Sequence, residues 1–192
     1  DDMISLLVDV SAEEGALSEE ELISFIFVLL LAGTETTTNL ISNSLVMMHR
    51  NPEFRRALVA DPSLLPAAIE EFLRFDSPVQ GIARFTTRAA EIRGVTIPKD
   101  EWVWVIPGSA NRDETNFDRP DVLDIRRPPK QNLAFGFGVH FCIGANLARL
   151  EARVAFEELL PRIPDFEALE EAAERIHSGP IRGFTKLPLR WG

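Results

Sequence analysis

The densest chemistry in the sequence lies in Phe135-Gly136-Phe137-Gly138-Val139-His140-Phe141-Cys142-Ile143-Gly144, a glycine-spaced run holding the only cysteine of the 192-residue chain. It leads into a predicted helix from about Cys142 to Leu160, on which Leu147, Leu150, Val154 and Leu159 recur at helical spacing. A sulfur at such a helix N-terminus feels the positive end of the macrodipole, which favours thiolate, the form that ligates metal. Gly136, Gly138 and Gly144 lack Cβ atoms where the backbone must turn tightly or approach a large planar ligand. On these residues alone the alternative is a structural cysteine in a glycine-rich turn, with His140 a satisfied core histidine.

A second segment, Ala32-Gly33-Thr34-Glu35-Thr36, turns a long apolar helix abruptly polar. Glycine in a helix interior costs about 1 kcal/mol against alanine, and a buried glutamate needs hydrogen-bond partners, so core packing gives no motive for either. A solvent-facing turn from Thr34 to Asn39 would explain the pattern equally well. A third feature is Glu71 and Arg74, three apart on one helix face, a spacing that in an exposed pair contributes only about 0.2–0.5 kcal/mol.

In this order and spacing, the three features resemble cytochromes P-450. The run F-G-x-G-x-H-x-C-x-G resembles the haem-ligand loop of that family, and every fixed position is met. The resemblance implies that Cys142 is the axial thiolate, that Phe135 packs beneath the haem, that Gly136 and Gly144 shape the loop and that His140 contacts a propionate. A-G-x-[Asp/Glu]-Thr resembles the oxygen-activation segment of the family's distal helix. Ala32 and Gly33 would then border the haem, and Glu35 and Thr36 would form an acid–alcohol pair for proton delivery, help of a kind typically worth about 10²–10⁴-fold. Glu71 and Arg74 resemble the family's buried structural pair, which an arginine from the segment before the cysteine loop joins. Asn111-Arg112-Asp113 and Arg119 are the candidates for that segment, and Arg119, in Phe117-Asp118-Arg119-Pro120, is preferred. Arg84 falls where the family places a propionate-binding arginine, a solvated strand arginine being the alternative, and Val79 and Ile82 fall in a segment that lines the substrate pocket.

The resemblance implies a haem-thiolate monooxygenase that inserts one oxygen atom of O₂ into a small apolar substrate, with haem b as cofactor. Electrons would come singly from a ferredoxin and its reductase or an equivalent donor, so that NAD(P)H acts only indirectly. Arg149 and Arg153 are candidates to face an acidic ferredoxin. A peroxide-driven peroxygenase would not need Glu35 and Thr36; a non-catalytic haem sensor is the rival of another class. A complete family member is about twice this size. The chain is therefore expected to be the C-terminal haem-binding portion, residues 1–192, of a single domain, without its N-terminal half.

The elements that must position these groups are mainly helical with small β-sheets. Residues 2–10 read as the end of a short helix, followed by a turn at Ser11–Gly15. Ser18 and Glu21 form a capping box that opens a helix to about Met48, stopped by Asn51-Pro52. Within it Ile23–Gly33 is apolar apart from Ser24, too short for the roughly 20 residues of a membrane span, and is expected to be a buried helix. Helices are predicted over Pro52–Ala60 and Leu64–Phe75, and strands over Ile82–Thr87, Glu91–Ile97 and Trp102–Ile106. The Asp-, Arg- and Pro-rich stretch Gly108–Lys130 reads as a surface meander, and the Gly-Pro-punctuated tail as one more hairpin.

Composition agrees with a soluble globular chain: 45% hydrophobic and 26% charged residues. A net charge of -10 repels nucleic acid and anionic membranes, so neither is an expected partner. One cysteine excludes an intrachain disulfide and a multi-cysteine zinc site. With a single cysteine a reducing cytoplasm is the expected location, and Asp1-Asp2 is unlike the basic start of a signal peptide.

Overall fold

The computed structural model describes residues 2–14, 17–128 and 130–192, and divides into two compact units, Asp1–Thr36 and Thr37–Gly192. In the first unit, helix α1 spans Met3–Glu14. The turn expected from Ser11 is displaced: Ser11 to Glu14 stay helical, because no proline or glycine interrupts them, and Gly15 lies outside the described residues. Helix α2, Glu19–Arg50, opens on the expected capping box. The Ser18 hydroxyl and N–H both donate to Glu21 Oε2, at 2.8 and 2.9 Å, and the Glu21 N–H donates back to Ser18 Oγ at 3.3 Å.

The expectation that Ile23–Gly33 is buried is not met. Ile23, Phe27, Val28, Leu30 and Leu31 are each more than half exposed. Apolar residues become buried only under a covering element, and within its own unit this stretch has only α1, itself exposed at Met3, Leu6 and Val8. By length and composition alone α2 as a whole passes for a membrane span, although Ile23–Gly33 within it is shorter than one.

The second unit holds the core. Its part of α2 buries Leu40, Leu45, Val46, Met47 and Met48, and ends where the Asn51 side-chain amide donates to the Met47 carbonyl at 2.8 Å ahead of Pro52. Helix α3 spans Pro52–Ala60 and helix α4 Leu65–Phe75, the latter starting one residue later than expected after a 3₁₀ turn at Pro62–Leu64. Leu58, Ile69, Phe72, Leu73, Phe156 and Phe166 close the centre, with Phe72 and Phe156 edge to face at 6.4 Å.

Among the described residues the strands form four two-stranded antiparallel pairs. Strand β1 (Ile82–Phe85) pairs with β4 (Trp102–Val105), Arg84 opposite Val103. The expected single strand Glu91–Ile97 is instead a hairpin of β2 (Ala90–Ile92) and β3 (Val95–Ile97). Its reversal is at Arg93 and Gly94, φ 50° and 79°, so Gly94 serves as a turn residue. The tail hairpin is present as two nested ladders, β5 (Glu167–Ala168) with β8 (Leu189–Arg190) and β6 (Glu174–Arg175) with β7 (Phe184–Lys186).

Two further readings need correction. The stretch Gly108–Lys130 is not all surface. After helix α5 (Pro107–Ala110) it buries Asn111, Phe117, Leu123 and Ile125. Its irregular backbone leaves carbonyls free for the buried Arg74: those of Asn111, Pro120 and Val122 accept from the guanidinium at 2.9, 2.8 and 3.3 Å. Helix α6 begins at Ala145, not Cys142, and ends at Leu159. Its buried residues are Ala145, Ala152 and Phe156, whereas Leu147, Leu150 and Val154 are exposed. Small alanines let α6 approach α4 closely, which decides the buried face against the leucine stripe.

Candidate functional site

The cysteine loop is built from backbone reversals. Gly136 and Gly138 sit at φ 73° and 70°, where a side chain would be strained. The Cys142 N–H donates to the Phe135 carbonyl at 2.9 Å, closing the loop, and the Cys142 carbonyl accepts from the Ala145 N–H at 3.2 Å as α6 starts. The sulfur thus lies in the turn before the helix, in van der Waals range of Gly144, where a Cβ would be 3.9 Å from Sγ.

Cys142 is free and exposed. Around it the loop turns apolar side chains outward: Phe137 is 73% exposed, Val139 98% and Ile143 84%. An apolar surface this uncovered over the seven residues Phe137–Ile143 marks a contact or ligand-binding face. His140 and Arg84 are also exposed, and neither pairs with a carboxylate among the described residues; Arg84 Nη1 donates only to the Ala83 carbonyl at 2.9 Å. Among the described residues no group of three or more His, Cys, Asp or Glu could hold a metal. This donor set, a lone thiol on a bare apolar face with the His140 imidazole two residues away, fits haem.

Behind the loop, Glu71 and Arg74 form a buried pair on α4. Arg74 Nε lies 2.7 Å from Glu71 Oε2, and both side chains are almost inaccessible. The third member is Arg127, not Arg119 or Arg112. Arg127 Nε donates to both Glu71 oxygens at 3.2 Å. Arg119 is exposed, at φ 44°, and pairs with Asp118; Arg112 stacks on Phe75 and pairs with Asp121. The F-x-x-P context misled because Arg119 contributes its carbonyl, which accepts from Arg127 Nη2 at 3.2 Å. Asn111 had been placed only as a neighbour of the arginine. It is fully buried; its amide donates to Ser77 Oγ at 3.1 Å and its Oδ1 accepts from the Leu133 N–H at 2.7 Å. The signal for it was a polar residue directly after the small-residue turn Pro107-Gly-Ser-Ala110.

Ala32, Gly33, Glu35 and Thr36 close the first unit on an unbroken helix. The Thr36 hydroxyl donates to the Ala32 carbonyl at 2.7 Å and that of Thr34 to Leu30 at 3.0 Å, so the polar switch does not break α2. Thr34–Asn39 is not a solvent-facing turn: Thr37 and Asn39 are buried. Val79 and Ile82 are half-buried after α4, Val79 bridged to Ile181 in the tail. Arg149 is turned toward α4 and Phe135 and Arg153 pairs with Glu157 at 2.7 Å, so Arg149 is not a free cation for a redox partner.

The sequence model of the cytochrome P-450 family matches residues 1–171. The chain belongs to the cytochrome P-450 family. This P-450 chain is 47% identical over 195 residues to cytochrome P-450 107B1 of Saccharopolyspora erythraea, which covers all of the chain and 48% of the relative. It is 45% identical to the vitamin D(3) 25-hydroxylase of Pseudonocardia autotrophica, covering 100% of the chain and 49% of that enzyme. Among solved structures, the tirandamycin C-bound P-450 monooxygenase TamI superposes with a TM-score of 0.95 at 40% identity, over all of the chain and 49% of its own. The P-450 chain thus spans about half the length of the curated relatives it matches. The family implies haem as cofactor.

Proposed function

We propose that residues 1–192 are the C-terminal haem-binding portion of a P-450 monooxygenase that inserts one oxygen atom of O₂ into a small apolar substrate. The observation that carries this is the exposed Cys142 thiol in a loop held open by Gly136 and Gly138 and faced by uncovered Phe137, Val139 and Ile143. Haem b bound through a thiolate supplies oxygen activation, the sulfur donating electron density to iron. Cys142 Sγ is the ligand, Phe135 and the glycines shape its approach, and His140 and Arg84 are the donors for propionates. Glu35 carries protons in from solvent, and the Thr36 hydroxyl positions water for their delivery. Ala32 and Gly33 offer little side-chain bulk beside them.

Val79 and Ile82, apolar and half-buried, are assigned to the substrate pocket. An apolar substrate agrees with the name of one relative, the vitamin D(3) 25-hydroxylase. Electrons come from a ferredoxin and ferredoxin reductase or equivalent, with NAD(P)H upstream, and a cytoplasmic location suits that supply. The superposition on P-450 structures over the whole chain, α2 included, supports α2 as an interior helix of the complete enzyme and not a membrane span. Glu35 and Thr36 weigh against a peroxygenase, whose oxidant arrives already protonated; turnover supported by NADPH and its redox proteins, without added peroxide, separates the two.

The test is Cys142→Ser in the intact protein that carries this chain. Reduced haem with carbon monoxide is expected to give the red-shifted Soret band of thiolate ligation in the parent and to lose it in the variant. Persistence of the band would assign the ligand elsewhere.

A further inference from the structure

Helix α4 carries two adjacent carboxylates, Glu70 and Glu71, which the helical period turns about 100° apart, so they serve different neighbours. Glu71 holds the segment that precedes the cysteine loop. Glu70 faces the loop itself. Its Oε1 accepts from Arg149 Nε at 2.5 Å, and its Oε2 accepts from Arg149 Nη2 at 3.3 Å and from Asn132 Nδ2 at 3.1 Å. Asn132 stands three residues before Phe135, and Arg149 lies in the second turn of α6. One carboxylate therefore gathers both ends of the loop onto α4.

Each end passes the constraint inward. Asn132 Oδ1 accepts from the Ala134 N–H at 3.0 Å, fixing the entry to the loop. Arg149 stacks its guanidinium on the Phe135 ring, 4.5 Å from Cζ to the centroid. The Phe135 carbonyl is the acceptor for the Cys142 N–H. The path from Glu70 to the sulfur-bearing residue is thus one ion pair, one cation–π contact and one backbone hydrogen bond. The Glu70 and Arg149 side chains are about one-third exposed, so their attraction is partly screened and their effect is chiefly geometric.

We propose that Glu70 is a positioning residue for Cys142, acting through Arg149 and Asn132 to hold the loop in the shape that presents the thiolate. The thiolate itself rests on the function proposed above; the clamp does not.

The experiment compares the intact protein with Glu70→Gln, Arg149→Leu and the double variant. Backbone amide exchange over residues 133–145, followed after haem removal, is expected to quicken roughly fivefold in each single variant, with α4 amides unchanged. The double variant should be no faster than the singles, since each breaks the same clamp. In the haem-loaded protein, the share of reduced, carbon monoxide-bound haem showing the red-shifted band is expected to fall at least about twofold at equal haem content. Arg149→Lys, which keeps the charge but not the planar stack, should lie between. Unchanged exchange over 133–145, or quickening spread equally over α4, overturns the proposal. Because exchange is read without haem, loss of the thiolate assignment leaves that result standing, and the two failures are told apart.

Discussion

Arg127 reaches back across 56 positions to Glu71, its Nε 3.2 Å from each carboxylate oxygen. With Arg74 on the same carboxylate and the Asp124 N–H donating to it at 2.9 Å, Glu71 is saturated with donors in a buried site. The arrangement ties α4 to the irregular segment that leads into the cysteine loop. Its energetic weight lies in what remains when one member is removed, because the partner charge is then buried without compensation.

Arg74→Ala and Glu71→Ala are therefore each expected to destabilise the intact protein by about 3–5 kcal/mol and to lower haem incorporation. Arg127→Ala should cost less, since Glu71 keeps Arg74 and the Asp124 N–H. Arg119→Ala should be near neutral. Thermal melts of the four variants check the ranking, and an Arg74→Ala melt within error of the parent would show the pair to be dispensable.

Thr36→Ala removes a hydroxyl that, in this structure, donates to the Ala32 carbonyl. Helix α2 should keep its shape, because alanine is the better helix former. Haem and substrate binding are expected to persist, while oxygen is diverted to hydrogen peroxide and product per NADPH falls. A ratio unchanged from the parent removes Thr36 from proton delivery.

Expressed alone, the 192-residue chain is expected to hold haem weakly or not at all and to aggregate. Ile23, Phe27, Leu30 and Leu31 on α2, and Leu147, Leu150 and Val154 on α6, are all exposed, a large apolar surface for one chain. Haem titration and gel filtration of the chain, set against a version extended upstream, measure this. Stoichiometric thiolate-ligated haem retained by the short chain through gel filtration would establish a minimal haem domain instead.

What could be read without coordinates was local or carried by a motif. The Ser18–Glu21 capping box, the stop at Asn51-Pro52 and the glycines of the cysteine loop depend on backbone conformation within a few residues, where sequence acts directly. Family membership followed from three such motifs in order. The Arg93-Gly94 turn was missed: Glu91–Ile97 reads as one strand in the sequence, although Gly94 supplies the local signal for the reversal.

Tertiary structure decided the partners and the faces. No spacing rule distinguishes Arg127 from Arg119, since both precede the loop and the choice depends on which guanidinium the folded segment turns inward. The periodicity of Leu147, Leu150 and Val154 identified a helix but not its buried side, which is the alanine side that packs on α4. Likewise Ile23–Gly33 is apolar in sequence yet exposed in its unit. Hydrophobicity states which residues gain from being covered; only the packed chain determines which of them are. The Glu70 clamp is of this second kind: three groups distant in sequence meet on one carboxylate, and nothing local to any of them requires it.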